Sequence, residues 1–271
     1  MIRLTSADNK TVKLARRLLT KKGRDRLGLY PVEGPKLLSE ALDRNAEISF
    51  AFFCEERAEG AASGAAFVPP QNRALAERVA RVGADVFSTT ERVFHSIADT
   101  ETPQGVLAAV RKPACGAAEL FARDGANVLV LDRIQDPGNV GSLIRTADAA
   151  GFGGVLVVGE SCDPYGPKAV RAAAGALFRI PVLSVRDADE AVRLLAAAGK
   201  RAAVADARGQ TSCYEADLSR DLAFVIGNEG RGPSKDFLDA ASLVVRIPMP
   251  GGAESLNAAA AAAVLLFESV R

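Results

Sequence analysis

Hydrophobic and polar positions alternate in blocks along the second half of the chain. Short runs that are almost wholly apolar lie between longer segments whose apolar residues recur every three to four positions. Near-continuous apolar strands separated by helices are typical of a parallel sheet covered by helices on both faces. We expect strands at 128–131, 155–158, 181–184, 202–205, 223–226 and 243–247, and helices at 140–150, 168–177, 188–198, 234–241 and 255–270.

The first half shows a shorter alternation of the same kind. An amphipathic helix is predicted at 9–22, because its apolar residues share one face and its Lys and Arg residues the other. We also expect strands at 30–34, 48–54, 86–88 and 105–110, helices at 35–42, 73–82 and 91–98, and a loop at 61–66. The sequence therefore predicts a small α/β domain at 1–112, a linker at 113–124 and a larger α/β domain at 125–271.

The last predicted helix is apolar on nearly every face. Six alanines beginning at Ala258 are followed by Val264, Leu265, Leu266 and Phe267. A helix that is apolar all round is expected to be buried. Ser255 and Asn257 are both residue types that cap the start of a helix.

Composition excludes several classes of protein. No apolar run reaches the ~18–20 residues that span a bilayer, and the first ten residues lack the apolar core of a signal peptide. The four cysteines form no CxxC pair and the only histidine is His95, so we expect no metal site and a reducing, cytoplasmic setting. His95 lies outside the polar loops described below, and we interpret it as structural.

The charge is concentrated at the start of the chain. Residues 1–36 carry ten Lys or Arg against three Asp or Glu, whereas the whole chain has a net charge of +1. A basic arm on a mildly acidic body is a candidate phosphate-binding surface. A solvated helix face explains the same charges equally well. The candidate nucleic-acid-binding residues are Lys10, Arg16, Arg17, Lys21 and Lys22.

Three loops that are polar or rich in glycine each follow a predicted strand and precede a predicted helix. The first begins at 132 and contains a Pro-Gly turn, with Asn139 as the predicted helix cap; the second, at 227–234, contains three glycines; the third lies at 248–257. Ligands bind outside the carboxyl ends of strands in open α/β sheets. We expect one crevice to be lined by Asn139, Arg145, Glu229, Ser255 and Asn257.

Arg145 has two interpretations. It lies about 100° from the apolar face of its predicted helix and is therefore not a core residue. Position alone favours a surface pair with Asp148, three residues further on, worth at most ~0.5 kcal/mol. The alternative is a functional cation. The glycines at 227–232 match neither a P-loop nor a dinucleotide-binding fingerprint.

Together, the three loops resemble the signature motifs of the SpoU (TrmH-like) RNA 2′-O-ribose methyltransferases, which belong to the SPOUT superfamily. N-x-G-x-x-x-R stands at 139–145, G-x-E-x-x-G at 227–232, and I-P-M with S-L-N at 247–249 and 255–257. The match covers about 125–271. Residues 1–112 are similar, more loosely, to the small α/β substrate-recognition domain that precedes many such catalytic domains.

This resemblance implies a fold and an activity. The catalytic domain would be a mostly parallel sheet with helices on both faces, and its C-terminal segment would form a trefoil knot. S-adenosylmethionine would be held by Gly227, Ile247, Met249 and Leu256. Arg145 would be the central catalytic residue, and Asn139, Glu229, Ser255 and Asn257 would shape the site. The chain would form a homodimer through this domain.

The implied reaction is methylation of a ribose 2′-hydroxyl, in ribosomal RNA rather than tRNA, with a phosphate, Glu229 or water taking the proton. A tRNA 2′-O-methyltransferase remains an alternative. So does a non-catalytic RNA-binding or ribosome-assembly factor on the same fold, although the intact Asn139, Arg145, Glu229 and Asn257 argue against it. A nucleotide-binding enzyme of the doubly wound type is disfavoured by the missing fingerprint.

Overall fold

The chain folds into two compact units in a computed structural model that describes residues 1–57 and 66–271. The first unit comprises Met1–Pro113 with Tyr165–Arg171, and the second comprises Ala114–Pro164 with Ala172–Arg271. The loop predicted at 61–66 lies outside the described residues, apart from Ala66. Within the described ranges, no helix is long and apolar enough to cross a bilayer.

The first unit is built on a five-stranded sheet with the order β1-β6-β3-β7-β2. Its strands are β1 (Ile2–Leu4), β2 (Leu29–Glu33), β3 (Ile48–Cys54), β6 (Asp85–Thr89) and β7 (Val106–Arg111), with a separate ladder of β4 (Glu56–Arg57) and β5 (Ala66–Phe67). Its helices are α1 (Lys10–Arg17), α2 (Lys21–Leu27), α3 (Pro35–Asp43), α4 (Pro70–Arg81) and α5 (Glu91–His95). β1, β6 and β3 are parallel, and β7 is antiparallel to β3 and β2.

The prediction of a single helix at 9–22 is wrong, because the chain forms two helices there. The Thr20 hydroxyl accepts a hydrogen bond from the N–H of Gly23 at 3.2 Å and so caps α2. A side chain at Gly23 would put its Cβ 1.9 Å from the carbonyl oxygen of Arg17. Glycine therefore permits the close turn between α1 and α2.

The second unit contains a seven-stranded sheet with the order β10-β9-β8-β13-β11-β14-β12, in which every neighbouring pair is parallel. Its strands are β8 (Val128–Asp132), β9 (Gly154–Val158), β10 (Val182–Val185), β11 (Arg201–Ala205), β12 (Thr211–Ser212), β13 (Leu222–Ile226) and β14 (Ala241–Arg246). The helices that follow β7 in the chain are α6 (Ala117–Leu120), α7 (Pro137–Ala149), α8 (Pro167–Ala173), α9 (Ala188–Ala197), α10 (Lys235–Asp239) and α11 (Ala258–Glu268); residues 167–171 of α8 belong to the first unit. This arrangement confirms the predicted parallel α/β fold.

Apolar side chains cover both faces of this sheet, because successive residues of a strand point to opposite faces. On one face Val130 and Val225 pack with Phe237 of α10 and Leu195 of α9 in one buried cluster. α7 and α11 pack against each other, and both contact strands of the sheet. Leu120 lies within the range predicted as a linker, and it is fully buried in the cluster that contains Val130 and Val225.

Two of these later helices differ from their predictions. The helix predicted at 168–177 ends at Ala173, because Ala174 and Gly175 have positive φ, and a 3-10 turn, Ala176–Phe178, follows. The expectation that the last helix is buried all round is also wrong. Ala262, Leu265 and Leu266 are buried, but Phe267 is 50% exposed and Val270, just beyond α11, is 54% exposed.

Candidate active site

The first loop follows β8 and leads into α7. The N-cap of α7 is Asp136 rather than Asn139, and its carboxylate accepts a hydrogen bond from the Asn139 N–H at 2.9 Å. Pro137 takes the first helical position, which suits a residue with fixed φ and no N–H. The prediction that Asn139 caps this helix is therefore wrong. Its side chain is left free for other contacts.

Asn139 links all three loops through its side chain. Its Nδ2 donates to Glu229 Oε1 at 2.9 Å, and its Oδ1 accepts from Asn257 Nδ2 at 3.2 Å. Asn257 is the N-cap of α11, and its Oδ1 accepts from the Ala259 N–H at 2.9 Å. The expected crevice therefore brings together Asn139, Glu229 and Asn257, which we call the amide–carboxylate network.

Glu229 is held in place by several donors from the first loop. Besides Asn139, the backbone N–H groups of Gln135 and Asp136 donate to its two carboxylate oxygens at 3.3 and 3.5 Å. Partial desolvation opposes ionisation, but these hydrogen bonds outweigh it, and the pKa of Glu229 lies below its ordinary value. The side chain is therefore an ionised acceptor at neutral pH.

The second loop is fixed by contacts that sequence reasoning missed. Asp132, which is fully buried at the end of β8, accepts from the N–H of Ser234 at 2.6 Å and from Arg133 Nε at 3.0 Å. Asn228 Oδ1 accepts from the N–H groups of Gly230 and Arg231 at 3.0 and 2.9 Å. An acid at the end of an apolar strand was the available signal for Asp132.

Gly227 permits a close backbone approach in this loop. A Cβ at Gly227 would lie 2.2 Å from the Pro233 nitrogen and 2.4 Å from the Gly232 carbonyl carbon. Any side chain there would force the two ends of the loop apart. Gly227 was predicted to bind the cofactor together with Ile247, Met249 and Leu256. Those three residues line a pocket, and Gly227 does not.

A pocket lies at the carboxyl ends of β11 and β14. Four predicted residues, Ile247, Met249, Ser255 and Leu256, line it together with the turn at 205–207, which sequence reasoning missed. The side chains of Ile247 and Met249 are partly exposed, and Leu256 is 41% exposed. Apolar side chains together with a few polar groups are typical of small-molecule sites.

The pocket fits the adenosine and methionine moieties of S-adenosylmethionine in chemistry but is small. It encloses about 120 Å³, less than the ~300–1,000 Å³ of typical ligand sites. Residues 254–256 form one wall, and every residue of the loop at 250–256 is exposed. Binding of S-adenosylmethionine in this pocket therefore requires the loop at 250–256 to move outward.

Arg145 lies apart from the amide–carboxylate network. It is exposed on α7 six residues after Asn139, about 240° further round the helix. It has no hydrogen-bond or ion-pair partner among the described residues. Asp148, the partner favoured by its position, instead pairs with Arg179 at 2.7 Å.

In the first unit, the five predicted RNA-binding residues are all exposed on α1 and α2. Arg16 donates to the carbonyl of Ser96 at 3.2 Å. The other four form no salt bridge in the part of the chain that the structure describes, and we call them the basic surface: Lys10, Arg17, Lys21 and Lys22. His95, interpreted as structural, is half exposed, with Nε2 3.8 Å from Glu91 Oε1. No group of three or more His, Cys, Asp or Glu side chains in the described ranges is arranged to hold a metal ion.

Residues 126–267 match the family model described as the SpoU rRNA Methylase family. The chain belongs to the SpoU rRNA methylase family. The resemblance of the three loops to the motifs of this family is thereby confirmed. A second model, the MRM3-like substrate binding domain, matches residues 9–108.

Members of the SpoU family that are similar to this chain have named substrates. The 23S rRNA (guanosine(2553)-2′-O)-methyltransferase RlmP of Bacillus subtilis is 32% identical over 98% of both chains. The 23S rRNA (uridine(2479)-2′-O)-methyltransferase of Streptomyces viridochromogenes is 38% identical over 63% of this chain and 61% of its own. The AdoMet-bound rRNA methyltransferase of Sinorhizobium meliloti has a TM-score of 0.85 and 32% identity, over 98% of this chain and 96% of its own. The two named target nucleotides carry different bases.

Proposed function

We propose that this chain is an S-adenosylmethionine-dependent methyltransferase that methylates a ribose 2′-hydroxyl in 23S ribosomal RNA. The observation that carries the proposal is the amide–carboxylate network, which joins the three motif loops of a SpoU family chain through Asn139. The 23S rRNA specificity of its relatives supports the choice of ribosomal RNA over tRNA. A non-catalytic factor would have no need of this network.

S-adenosylmethionine supplies a methyl group on a positively charged sulfur. Ile247, Met249 and Leu256 would cover its apolar surface, and backbone groups of the third loop would bind its polar edges. Ser255, which is exposed at the rim of the pocket, would contact the cofactor or the ribose. Methyl transfer is an in-line displacement, so holding both reactants in line supplies much of the acceleration.

We assign positioning roles to Asn139, Glu229 and Asn257. The carboxylate oxygens of Glu229 already accept three hydrogen bonds, and its pKa is lowered. Because donors of the first loop occupy both of its oxygens, we assign this carboxylate to positioning rather than to proton transfer. The proton of the 2′-hydroxyl would therefore leave to a phosphate oxygen or water as the ribose oxygen takes the methyl group.

Arg145 is the residue to which we assign contact with the RNA at the reacting nucleotide. Its guanidinium is exposed and unpaired in the described structure, and arginine stays protonated under all ordinary conditions. Such a group binds a phosphate and polarises a neighbouring hydroxyl without losing its own proton. Because Arg145 and Asn139 face different sides of α7, the assignment requires the substrate to extend along that helix.

The first unit would bind the RNA substrate. Its basic surface offers four unpaired cations to the phosphate backbone. The boundaries of a substrate-binding domain at 1–112, a linker at 113–124 and a methyltransferase domain at 125–271 stay predictions. So do the cytoplasmic location and the trefoil knot of the C-terminal segment.

A homodimer would form through the outer face of the C-terminal helix. Phe267 and Val270 lie three residues apart, so they share one face, and both are about half exposed. Ala260 on the same side of α11 is also exposed. A second copy of this chain would cover these apolar groups.

The proposal is tested by methyl transfer from labelled S-adenosylmethionine to unmethylated 23S rRNA and tRNA, followed by complete digestion to nucleosides. The proposal predicts label in one 2′-O-methylated nucleoside of 23S rRNA. Label on a base, or in tRNA alone, would contradict it. Cofactor binding measured by calorimetry in the absence of RNA separates a missing substrate from a missing activity.

A further inference from the structure

A cavity of about 1140 Å³ opens in the first unit, far in sequence from the three motif loops. It lies where the parallel strands β3 and β6 end and where the antiparallel strand β7 begins. Residues after β3, after β6 and before β7 line it: Glu55, Thr90, Arg92, His95, Gln104 and Gly105. Ligands bind at such points of open sheets, where strand direction or order changes.

One wall of the cavity is a closed ion pair. Arg3 donates from Nε and Nη2 to the carboxylate of Glu55 at 2.8–3.0 Å, and the Ser88 hydroxyl adds a hydrogen bond at 2.8 Å. The Glu55 side chain is 7% exposed. These groups satisfy one another and are therefore structural.

Other polar groups of the cavity have no such partners. In the described structure, the amide of Gln104, the guanidinium of Arg92 and the hydroxyl of Thr90 make no hydrogen bond, and Thr90 does not cap α5 with its side chain. Gln104 is exposed, and its Oε1 lies 3.0 Å from the place of a Cβ on Gly34. The absence of a side chain at Gly34, whose φ is 106°, therefore leaves room for the Gln104 amide.

Helix α1, which carries Lys10 and Arg17 of the basic surface, lies beside α5, whose residues line the cavity. Val12 of α1 and Leu18, which caps the end of α1, pack in one buried cluster with Phe94 of α5, which also lines the cavity. The Arg16 guanidinium donates to the carbonyl of Ser96, the residue after His95. We therefore expect a nucleic acid strand bound along α1 to reach the mouth of the cavity.

We propose that this cavity receives an unstacked base of the RNA substrate and reads its edge through Gln104 and Arg92, while the basic surface holds the adjoining phosphates. The inference rests on the proposed function in that RNA is the substrate. Apart from the closed Arg3–Glu55 pair, the cavity is lined by Arg92 and by two carboxylates, Glu56 and Glu91. These carboxylates repel a phosphate but accept hydrogen bonds from the amino groups of a base. Proteins that recognise RNA by sequence read unpaired bases in this way.

The test compares binding of full-length variants to an unmethylated 23S rRNA transcript, in the presence of excess polyuridine, over a range of salt concentrations. Gln104→Ala is expected to weaken binding about tenfold with an unchanged salt slope, as for a contact to a base edge. Gln71→Ala, an exposed amide outside the cavity, is the matched control and should bind normally. Lys21→Ala/Lys22→Ala should lower the salt slope by about two, as for lost phosphate contacts.

A second pair of variants guards against misfolding of the first. Arg92→Gln should weaken binding without changing the salt slope, whereas Arg73→Gln on α4, exposed and outside the cavity, should have no effect. Normal binding by both Gln104→Ala and Arg92→Gln, or a changed salt slope in Arg92→Gln, would overturn the inference. These outcomes do not depend on methyl transfer. A wild-type protein that binds 23S rRNA and methylates nothing would refute the proposed function alone.

Discussion

Arg179 holds Asp148 with its guanidinium, Nε at 2.8 Å and Nη2 at 2.7 Å from the same carboxylate oxygen. The pair is largely withdrawn from solvent, with side chains 26% and 19% exposed. The left-handed Gly175 and the 3-10 turn after it bring Arg179 to α7. Arg145 consequently has no carboxylate on its own helix to neutralise it and remains available to an RNA phosphate.

Gly227 should tolerate no side chain, whereas Gly230 in the same loop should tolerate one. Gly227→Ala places a Cβ within 2.5 Å of backbone atoms of Gly232 and Pro233, while a Cβ at Gly230 meets only Asn228 Oδ1 at 3.8 Å. We expect Gly227→Ala to lower the Tm by about 5 °C or more, from a cost of roughly 2 kcal/mol. Gly230→Ala should stay within about 2 °C. Equal melting temperatures for the two variants would show that the loop is not closed as described.

Acid should loosen the amide–carboxylate network through Glu229. Its folded-state pKa lies below its ordinary value of 4.5, so its contribution to stability is fully present above about pH 4.5 and is lost as the pH falls through the lower, folded-state pKa. Glu229→Gln removes this titration. Below pH 4.5 wild type should therefore lose stability more steeply than Glu229→Gln in urea unfolding. Parallel curves would mean that the carboxylate is not held by Asn139 and the first loop.

The outer face of α11 should carry the dimer contact. Phe267→Glu places a charge in the proposed apolar interface and should convert a dimer to a monomer in light scattering at micromolar concentration. Val82→Glu, at a residue 59% exposed in the first unit, is the control for an added surface charge and should leave the dimer intact. A dimeric Phe267→Glu would place the contact elsewhere, and a monomeric wild type would contradict the proposed dimer.

Local sequence patterns predicted most of the parallel sheet, because buried strands of such sheets are short apolar runs that end at polar turns. Strand 128–131 became Val128–Asp132 and strand 223–226 became Leu222–Ile226. The pattern failed where two neighbouring residues could each cap the same helix. Asp136 and Asn139 can both cap a helix, and the choice was settled by Pro137, which fits the first helical turn after Asp136.

Long-range contacts could not be predicted from local pattern. The partner of Asn139 lies 90 residues away at Glu229, and the partner of Asp148 lies 31 residues away at Arg179. Helix α11 was expected to be buried because composition reports only that a surface is apolar. It does not report whether the same chain covers that surface, and here Phe267 stays half exposed.

The most direct test of this account is the rate of methyl transfer to 23S rRNA by Arg145→Ala. Arg201→Ala is the matched control. Arg201 is exposed at the start of β11, at the amino ends of the strands, whereas the site lies at their carboxyl ends. We predict that Arg145→Ala lowers kcat/KM at least about 100-fold with unchanged binding of S-adenosylmethionine, and that Arg201→Ala stays within about twofold. An Arg145→Ala enzyme that methylates 23S rRNA at the wild-type rate would contradict the central role of this arginine.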